Sequence, residues 1–206
     1  GKSSAAKQVA AQMGFAFLDT GAMYRAATWW ALKQDISLDN ANVLTASTQA
    51  MKLEMEETDN GQRVYVNGDD VSTEIRTPEV TRLIYKLDQN PNVRKHLVHL
   101  QRIFGEKQPT VAEGRDIGTV VFPKAKCKIY LDASLEQRAQ RRILQLGDKA
   151  IGIDLDQLQA EIHERDEQSK NRKDSPLRQA DDAILLDTTN KSFDEVVKEI
   201  VLLARK

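Results

Sequence analysis

This 206-residue chain has little cysteine and no long apolar run, and each absence narrows what it can be. Its single cysteine, Cys127, cannot form a disulfide within the chain, which favours a reducing, cytoplasmic location. No apolar run approaches the roughly 18 residues that a membrane-spanning helix requires. Repeats and low-complexity segments are also lacking, so we expect one globular domain, or one core with an insertion.

The chain also lacks an excess of charge of either sign. Lysine and arginine total 30 and aspartate and glutamate total 31, for a formal net charge of −1. This balance gives no support to wholesale binding of nucleic acid or anionic membranes, so any positive field must be local. The three histidines, His96, His99 and His163, lack the spacing of a metal or base site. We expect them at the surface.

The first residues, Gly1-Lys2-Ser3-Ser4, match the second half of the phosphate-binding loop pattern G-x-x-x-x-G-K-[ST]. In such a loop the lysine reaches the outer phosphates of a nucleoside triphosphate, and the hydroxyl of Ser3 ligates Mg²⁺. Taken alone, the tripeptide is more often an ordinary capped helix start than a nucleotide site. A complete loop would follow a strand and include an earlier glycine, both of which would precede Gly1.

The apolar pattern alternates between short strands and helices, which predicts an α/β fold with a parallel sheet between layers of helices. Strands are expected at about 15–18, 110–112, 128–131 and 184–187. Helices are expected at about 3–13, 22–33, 39–50, 78–89, 91–104, 134–146, 155–173 and 192–205. Ligands bind at the carboxyl ends of parallel strands, and Asp19-Thr20, the 113–116 block and Asp132 lie at such ends.

One segment departs from this alternation. Residues 51–56 and 63–66 alternate apolar and polar side chains, and residues 58–61 between them carry an Asn-Gly turn signal. We therefore predict an antiparallel hairpin that forms a small inserted subdomain.

Two predicted helices carry arginines at regular spacing. Arg165, Ser169 and Arg172 continue the stripe of Leu155, Leu158 and Ile162, so the two arginines would point the same way, about 10.5 Å apart. A solvent-exposed face explains the spacing equally well.

The 134–146 helix places Arg138 and Arg141 or Arg142 on one side, where ordinary surface positions are the simpler interpretation. If these arginines serve a site, their charge suits phosphoryl transfer, whose transition state is stabilised mainly by positive groups.

Four blocks together resemble bacterial cytidylate kinases, and the resemblance extends over the whole chain. The blocks are residues 18–25 (LDTGAMYR), 71–77 (VSTEIRT), 113–123 (EGRDIGTVVFP) and 165–172, with Arg165-Asp166 and Asn171-Arg172. The resemblance implies a P-loop three-layer fold with an inserted monophosphate-binding subdomain and an arginine-bearing helical lid. It implies ATP-dependent phosphorylation of CMP, with dCMP as a second acceptor, by a cytoplasmic monomer without nucleic-acid or membrane partners.

The resemblance also implies roles for individual residues. Those expected to contact ATP are Gly1, Lys2, Ser3, Ser4, Arg141 and Arg142, with Ser3 on Mg²⁺. Those expected to contact CMP are Thr20, Arg25, Arg94, Arg115, Asp116, Arg165 and Arg172. Lys2, Arg115, Arg165 and Arg172 are expected to stabilise the transferring phosphoryl group. Arg94 and Asp116 match the residues that read cytosine, which suits a guanidinium and a carboxylate.

Single-domain organisation is expected, with a core at 1–25, 105–146 and 176–206, a monophosphate-binding region at 26–104 and a lid at 147–175. Two positions depart from the family pattern: Tyr85 replaces a common serine and Ser169 a common aspartate, and both positions usually contact the sugar.

Two alternative functions stay open at this stage. One is another small P-loop kinase of the UMP or shikimate type, and the other is a nucleotide-binding module without catalysis.

Overall fold

The computed structural model describes residues 1–58, 61–147 and 152–206 of the chain. These residues form two compact units: unit 1 comprises residues 1–14 and 115–206, and unit 2 comprises residues 15–114. Part of the predicted lid (148–151) and the two central residues of the predicted hairpin turn (59–60) lie outside the described residues. The division into core, monophosphate-binding region and lid stays a prediction.

Unit 1 contains four α-helices, two strands and a short π-helix among its described residues. Its elements are α1 (Lys2–Met13), the π-helix (Ile117–Val121), β6 (Ile129–Asp132), α6 (Leu135–Leu146), α7 (Leu155–Lys170), β7 (Ile184–Asp187) and α8 (Phe193–Ala204). Helix α1 packs against α8, and α6 packs against α7.

Unit 2 combines helices with an antiparallel sheet and a parallel strand pair. Its elements are β1 (Ala16–Asp19), α2 (Thr20–Lys33), α3 (Ala41–Ala50), β2 (Leu53–Thr58), β3 (Gly61–Val66), β4 (Asp69–Asp70), a 3₁₀ helix (Glu74–Arg76), α4 (Pro78–Asp88), α5 (Pro91–Lys107) and β5 (Thr110–Glu113). The predicted hairpin is confirmed by the antiparallel pairing of β2 with β3, in which Leu53 is opposite Val66.

Among the residues that the structure describes, each unit has one parallel strand pair, which confirms the α/β class with parallel strands. In unit 2, β1 pairs with β5 so that Asp19 is opposite Glu113. In unit 1, β6 pairs with β7 so that Asp132 is opposite Asp187. All four strands therefore end in a carboxylate residue, at the end of a strand where ligands bind in α/β proteins.

The core of unit 2 is built around α2, whose buried face is lined with small residues. Ala26 and Ala27 are fully buried, which lets neighbouring elements approach closely. Val64 and Val66 of β3 and Leu97 of α5 belong to the same apolar cluster. The alternation of β3 places both valines on one face of the hairpin, as its sequence period requires.

Helix α8 covers part of unit 1 with the face that its period predicts, with one exception. Val196, Val197 and Ile200 are buried, whereas Phe193, which the helical period places on the same face, is 47% exposed. Phe193 is the first residue of α8 and follows the capping box formed by Ser192 and Glu195. A residue in the first turn of a helix lies at its edge, where less of the neighbouring structure can cover it.

Two predicted helix boundaries are wrong in ways that matter for the site. Helix α2 begins at Thr20 rather than 22, because the carboxylate of Asp19 accepts a hydrogen bond from the N–H of Ala22 and caps the helix. Helix α7 ends at Lys170 rather than 173, with Asn171 as its C-cap. Arg172 therefore lies beyond the helix.

Asn90 is a buried cap that joins α5 to α3. Its side-chain oxygen accepts hydrogen bonds from the N–H groups of Asn92 (3.0 Å) and Val93 (3.2 Å). Its side-chain nitrogen donates to the carbonyl of Ala41 at 3.0 Å and to the hydroxyl of Thr45 at 3.2 Å.

We expect Asn90→Ala to lower the free energy of unfolding by about 2–3 kcal/mol, from one lost cap and the lost hydrogen bonds that join Asn90 to Ala41 and Thr45 of α3. Urea unfolding followed by circular dichroism measures this. Asn90→Asp keeps the cap but replaces the donor with an acceptor, so it should also destabilise the protein. Wild-type stability in the alanine variant would contradict the prediction.

In the described part of the chain, no helix is both long and apolar enough to cross a membrane.

Candidate active site

The start of α1 has the features of an anion site in unit 1. The N-cap residue, Gly1, has no side chain that could cap the helix, and the first turn carries no acidic residue. A helix start of this kind presents backbone N–H groups and a partial positive charge to an anion. Lys2, Ser3 and Ser4 are exposed. The local geometry suits the predicted binding of triphosphate oxygens by these four residues.

Of the two α6 arginines predicted to contact ATP, Arg141 lies beside this helix start. Its Cδ is 3.9 Å from the position that a Cβ on Gly1 would occupy. Its guanidinium donates to the hydroxyl of Thr188 at 3.0 Å and to the carbonyls of Thr188 and Lys191. Arg142 is exposed and donates to the side-chain oxygen of Gln145 at 3.0 Å. Arg142 thus matches the simpler interpretation of a surface arginine.

A single carboxylate bridges two arginines in unit 1. Asp166 accepts a hydrogen bond from Arg115 at 3.0 Å through one oxygen and from Arg138 through the other. The side chain of Asp166 is 16% exposed, compared with 26% for Arg115 and 36% for Arg138. Among the described residues, the Nε of Arg138 is buried and has no hydrogen-bond partner. The arrangement concentrates two guanidinium groups around one anion.

The environment of Asp166 stabilises its charged form. Burial by itself raises the pKa of this carboxyl, but the hydrogen bond and charge of Arg138, followed by those of Arg115, outweigh it. The pKa of Asp166 is therefore lowered from its ordinary value of 3.8. At neutral pH the bridge consists of one negative and two positive groups, which leaves net positive charge for a phosphate.

We expect Asp166→Asn to lower the free energy of unfolding at pH 7 by about 1–3 kcal/mol, because a charged acceptor of two hydrogen bonds is lost. The depressed pKa of Asp166 means that its stabilisation is present above the unfolded-state pKa and is lost as pH falls through the folded-state pKa. The stability gap between wild type and variant should therefore shrink below about pH 4. Urea unfolding at several pH values measures the gap.

Glu167→Gln is the matched control, because this neighbouring carboxylate forms an exposed ion pair with Lys170, and an exposed pair contributes little. A gap between wild type and Asp166→Asn that stays constant with pH would contradict the ionic bridge.

Asp116 lies at the start of the π-helix, directly after Arg115. Its side chain is buried, and its backbone carbonyl accepts hydrogen bonds from the N–H groups of Val120 (2.8 Å) and Val121 (3.3 Å). Within the π-helix, a Cβ on Gly118 would lie 3.3 Å from the Cδ of Lys128. Because π-helices are rare and are frequently found at functional sites, this turn is compatible with the predicted role of the 113–116 block.

The two predicted lid arginines do not share one face of a helix, so that prediction is wrong. Arg165 is exposed on α7, whereas Arg172 is 8% exposed and lies beyond the end of α7. The guanidinium of Arg172 donates from Nε to the carbonyl of Asp174 at 2.8 Å and from a terminal nitrogen to that of Ser175. The helix ends before Arg172, so its side chain turns back onto its own loop.

Ser169, where the family pattern has an aspartate, has its hydroxyl engaged within α7. The hydroxyl donates to the carbonyl of Arg165 at 2.9 Å, and the side chain is buried. The carbonyl of Ser169 accepts a hydrogen bond from the N–H of Leu177 at 2.8 Å. Ser169 therefore stabilises the chain reversal after α7.

A second carboxylate organises the arginines of unit 2. Asp19 accepts a hydrogen bond from the terminal nitrogen of Arg25 at 2.8 Å, and a terminal nitrogen of Arg76 lies 3.6 Å away. The Nε of Arg25 is buried and has no hydrogen-bond partner among the described residues. A Cβ on Gly21 would lie 3.1 Å from Arg25 and 3.2 Å from the Asp19 carboxylate, so a larger residue there would displace them.

Thr20 and Arg94, the other predicted CMP contacts of unit 2, are both buried. The hydroxyl of Thr20 donates to the carbonyl of Glu113 at 2.8 Å, so a phosphate contact through its proton would require this bond to break. The guanidinium carbon of Arg94 lies 5.2 Å from the centre of the Tyr24 ring, within range of a cation–π interaction. Arg94 is 4% exposed, which makes it a held, preorganised donor.

Sequence reasoning missed the two carboxylates that orient these arginines. Asp166 belongs to the Arg165-Asp166 block, but only the folded structure shows that it joins Arg115 to Arg138. Asp19 ends a predicted strand, and its role as cap and ion-pair partner follows from the helix that begins next to it. For Asp19, an aspartate directly before a helical run is the signal that could have found it.

Comparison with known proteins agrees with this geometry. The cytidylate kinase family matches residues 1–206 of the chain. A cytidylate kinase of Ligilactobacillus salivarius (strain UCC118) is 47% identical over 98% of this chain and 90% of its own length. Those of Alkaliphilus metalliredigens (strain QYMF) and Bacillus thuringiensis (strain Al Hakam) are 42% and 44% identical over 98% of this chain and 90% and 89% of theirs. The chain therefore belongs to the cytidylate kinase family and is a kinase that phosphorylates CMP.

Proposed function

We propose that the reaction is a direct transfer in which an oxygen of the CMP phosphate attacks the γ-phosphorus of ATP. The new bond joins this oxygen to the γ-phosphorus, the bond from the γ-phosphorus to the β–γ bridging oxygen breaks, and ADP leaves. The attacking phosphate is already an anion, so the chain needs no strong base. The protein's task is to position two anions and to neutralise the charge of the transition state.

The proposal is carried by one observation: in the blocks that resemble the family, arginines are held by carboxylates with little exposure, 5% for Asp19 and 16% for Asp166. Asp19 holds Arg25 and Asp166 holds Arg115, while the Nε groups of Arg25 and Arg138 remain buried donors without an acceptor among the described residues. A buried donor without an acceptor is costly, and a phosphate oxygen would satisfy it.

We assign the acceptor nucleotide to seven residues, each by its chemistry. The residues are Thr20, Arg25, Arg94, Arg115, Asp116, Arg165 and Arg172. Arginines bind phosphate oxygens in pairs of hydrogen bonds, which suits Arg25 and Arg115 to the monophosphate. Buried Arg94 and Asp116 supply a donor and an acceptor for the edge of cytosine. Arg172 would first have to leave the carbonyls of Asp174 and Ser175.

We assign ATP to the start of α1, through Gly1, Lys2, Ser3 and Ser4, and to Arg141; Arg142, at the surface, is the weaker assignment. Lys2 is the cation nearest to the helix start in sequence, and its charge suits the outer phosphates. Together with Arg115, Arg165 and Arg172 it would stabilise the transferring group.

The residues at the start of α1 are compatible with a bound Mg²⁺ ion. Among the described residues no group of three or more histidine, cysteine, aspartate or glutamate side chains could hold a metal ion. Mg²⁺ bound to a nucleotide takes most of its ligands from phosphates and water, so one hydroxyl from the protein suffices, and we assign that role to Ser3. When bound, the ion would neutralise charge on the phosphates of ATP.

We also propose that dCMP is an acceptor. The hydroxyl of Ser169 is engaged within α7, and Tyr85 puts a large aromatic side chain where the family pattern has serine, so neither the carboxylate nor the small hydroxyl of that pattern stands at these two positions. The enzyme should therefore discriminate little between ribose and deoxyribose.

We further propose a cytoplasmic monomer, without nucleic-acid or membrane partners, because both substrates are small cytoplasmic nucleotides.

A panel of acceptors tests the proposed function. Release of ADP from ATP is measured with CMP, dCMP, UMP, AMP and shikimate, with and without Mg²⁺. We expect CMP and dCMP to be preferred, with activity lost on removal of Mg²⁺. A preferred acceptor without cytosine would overturn the assignment of Arg94 and Asp116, and binding of ATP and CMP without turnover would favour a non-catalytic module.

A further inference from the structure

The hairpin of unit 2 bonds to β1 along the side that faces away from β5. In a strand, the backbone groups of successive residues point to opposite sides. The N–H of Ala16 donates to the carbonyl of Pro109 at 2.9 Å, so Ala16 and Leu18 face the β5 side. The backbone groups of Phe17 and Asp19 therefore face the other side. Among the described residues, β5 is the only strand that pairs with β1.

Two hairpin side chains satisfy these outward-facing groups. The N–H of Phe17 donates to a carboxylate oxygen of Glu57 at 2.8 Å. The N–H of Asp19 donates to the side-chain oxygen of Gln62 at 3.2 Å, and the side-chain nitrogen of Gln62 donates to the carbonyl of Phe17. The amide of Gln62 thus takes the place of one peptide group of a neighbouring strand. We call these three hydrogen bonds the edge clamp.

The edge clamp acts on the residue that holds Arg25. The backbone of Asp19 is fixed by Gln62, while its carboxylate caps α2 through Ala22 and accepts the hydrogen bond from Arg25. The side chain of Asp19 is 5% exposed and makes both contacts at 2.8–2.9 Å. A shift of the Asp19 backbone would therefore move Arg25 with it.

We propose that Gln62, supported by Glu57, is a positioning residue for the phosphate of CMP. The inserted hairpin would then serve catalysis by holding the end of β1, and with it the Asp19–Arg25 pair, in the binding geometry. Hydrogen bonds weaken steeply when their geometry is lost, so an amide two contacts away from the substrate can affect binding of the CMP phosphate. This inference rests on the proposed role of Arg25 in binding the CMP phosphate.

Protection of an exposed strand edge is the alternative role for the same contacts. Edge protection predicts a change in stability or solubility alone. Positioning predicts a change in the KM for CMP that is separate from the kcat and from the KM for ATP. The two roles are therefore distinguished by steady-state kinetics rather than by stability.

The test compares Gln62→Ala and Gln62→Glu with Arg63→Ala. Arg63 is the next residue of β3, so its side chain points to the opposite face, where it is exposed and pairs with Asp70. We expect Gln62→Ala to raise the KM for CMP about 10-fold, with the KM for ATP and the kcat within about twofold of wild type. Arg63→Ala should match wild type in all three constants.

Gln62→Glu keeps the size of the side chain and adds a second measurement, the pH dependence of the KM for CMP, which edge protection alone does not predict. An ionised carboxylate would face the carbonyl of Phe17, whereas a protonated one can donate to that carbonyl and accept from the N–H of Asp19. The KM for CMP of Gln62→Glu, relative to wild type at each pH, should therefore fall toward 1 as the pH is lowered. This variant also serves if Gln62→Ala fails to fold.

Arg25→Ala, measured alongside, tests the contact of Arg25 with the CMP phosphate separately from the positioning role of Gln62. If Arg25→Ala raises the KM for CMP but the Gln62 variants behave like Arg63→Ala, the positioning role is overturned while the role of Arg25 stands. If Arg25→Ala leaves the KM for CMP unchanged, the proposed contact of Arg25 is wrong and the inference fails with it. A raised KM for both Arg25→Ala and Gln62→Ala, with pH-dependent recovery in Gln62→Glu, supports the inference.

Discussion

Replacing Arg115 by alanine should lower the kcat for CMP phosphorylation by about 100- to 1,000-fold, the usual effect of removing one preorganised donor from a transition state. The structure supports preorganisation, because Arg115 is held by a carboxylate and its side chain is 26% exposed. Initial rates at saturating ATP and CMP give the kcat. Arg115→Lys should recover little of the loss, because an ammonium group cannot form the paired hydrogen bonds of a guanidinium.

Arg205→Ala is the matched control for Arg115→Ala, because Arg205 is an exposed arginine at the end of α8. It should retain the wild-type kcat. Loss of the Arg115–Asp166 bridge could also loosen unit 1, so unfolding of each variant is measured as well. A kcat within about threefold of wild type for a folded Arg115→Ala protein would remove Arg115 from the catalytic group.

Replacing Arg94 or Asp116 by alanine should raise the KM for CMP by about 30- to 100-fold and leave the KM for ATP nearly unchanged. Loss of a hydrogen bond to a charged group costs about 1.5–3 kcal/mol, and a site built around polar contacts to a base discriminates strongly. Both side chains are buried, at 4% and 6% exposure, so water would compete weakly for the base. Full kinetics with each substrate varied in turn separates the two constants.

Arg102→Ala provides a control for Arg94→Ala on the same helix, because Arg102 lies on an exposed position of α5. Thermal unfolding identifies any loss caused by packing, which is a concern for Arg94 because it contacts the Tyr24 ring. Equal increases in the KM for CMP and for ATP would contradict the base-reading assignment. They would indicate that the substitution disturbs the protein as a whole.

Much of the fold could be predicted from local patterns, because helices and buried strands have distinct periods. The short apolar runs that correspond to β1, β5, β6 and β7 are each followed by polar residues. Candidate site residues could therefore be predicted at the ends of these strands. The hairpin was predicted from its alternation. The strand ends and the hairpin signal are properties of adjacent residues, so the sequence displays them directly.

Contacts between distant residues could not be predicted in this way. Asp166 joins Arg115 and Arg138 across 51 and 28 residues of sequence. Gln62 reaches Phe17 across 45 residues, from a hairpin whose own pattern reveals only which side chains share a face. Such contacts depend on how helices and strands pack against one another. The periodicity of a single segment does not specify this packing.

Helix ends explain the remaining differences between the predicted and the observed structure. The spacing of Arg165, Ser169 and Arg172 fits a continuous helix, but Asn171 ends α7 and Arg172 folds back onto backbone carbonyls. Capping depends on single residues whose signals are weak compared with those of a long periodic stripe. The contact of Arg172 with phosphate, which the resemblance to the family implies, stays a prediction, whereas periodicity wrongly placed this residue within the helix.

The central claim is that carboxylate-held arginines bind the phosphates of the substrates. A crystal structure of the protein with CMP and a non-hydrolysable ATP analogue tests this claim most directly. We expect the guanidinium groups of Arg25 and Arg115 within about 3 Å of phosphate oxygens, with Asp19 still bonded to Arg25. Bound nucleotides whose phosphates contact neither arginine would contradict the account.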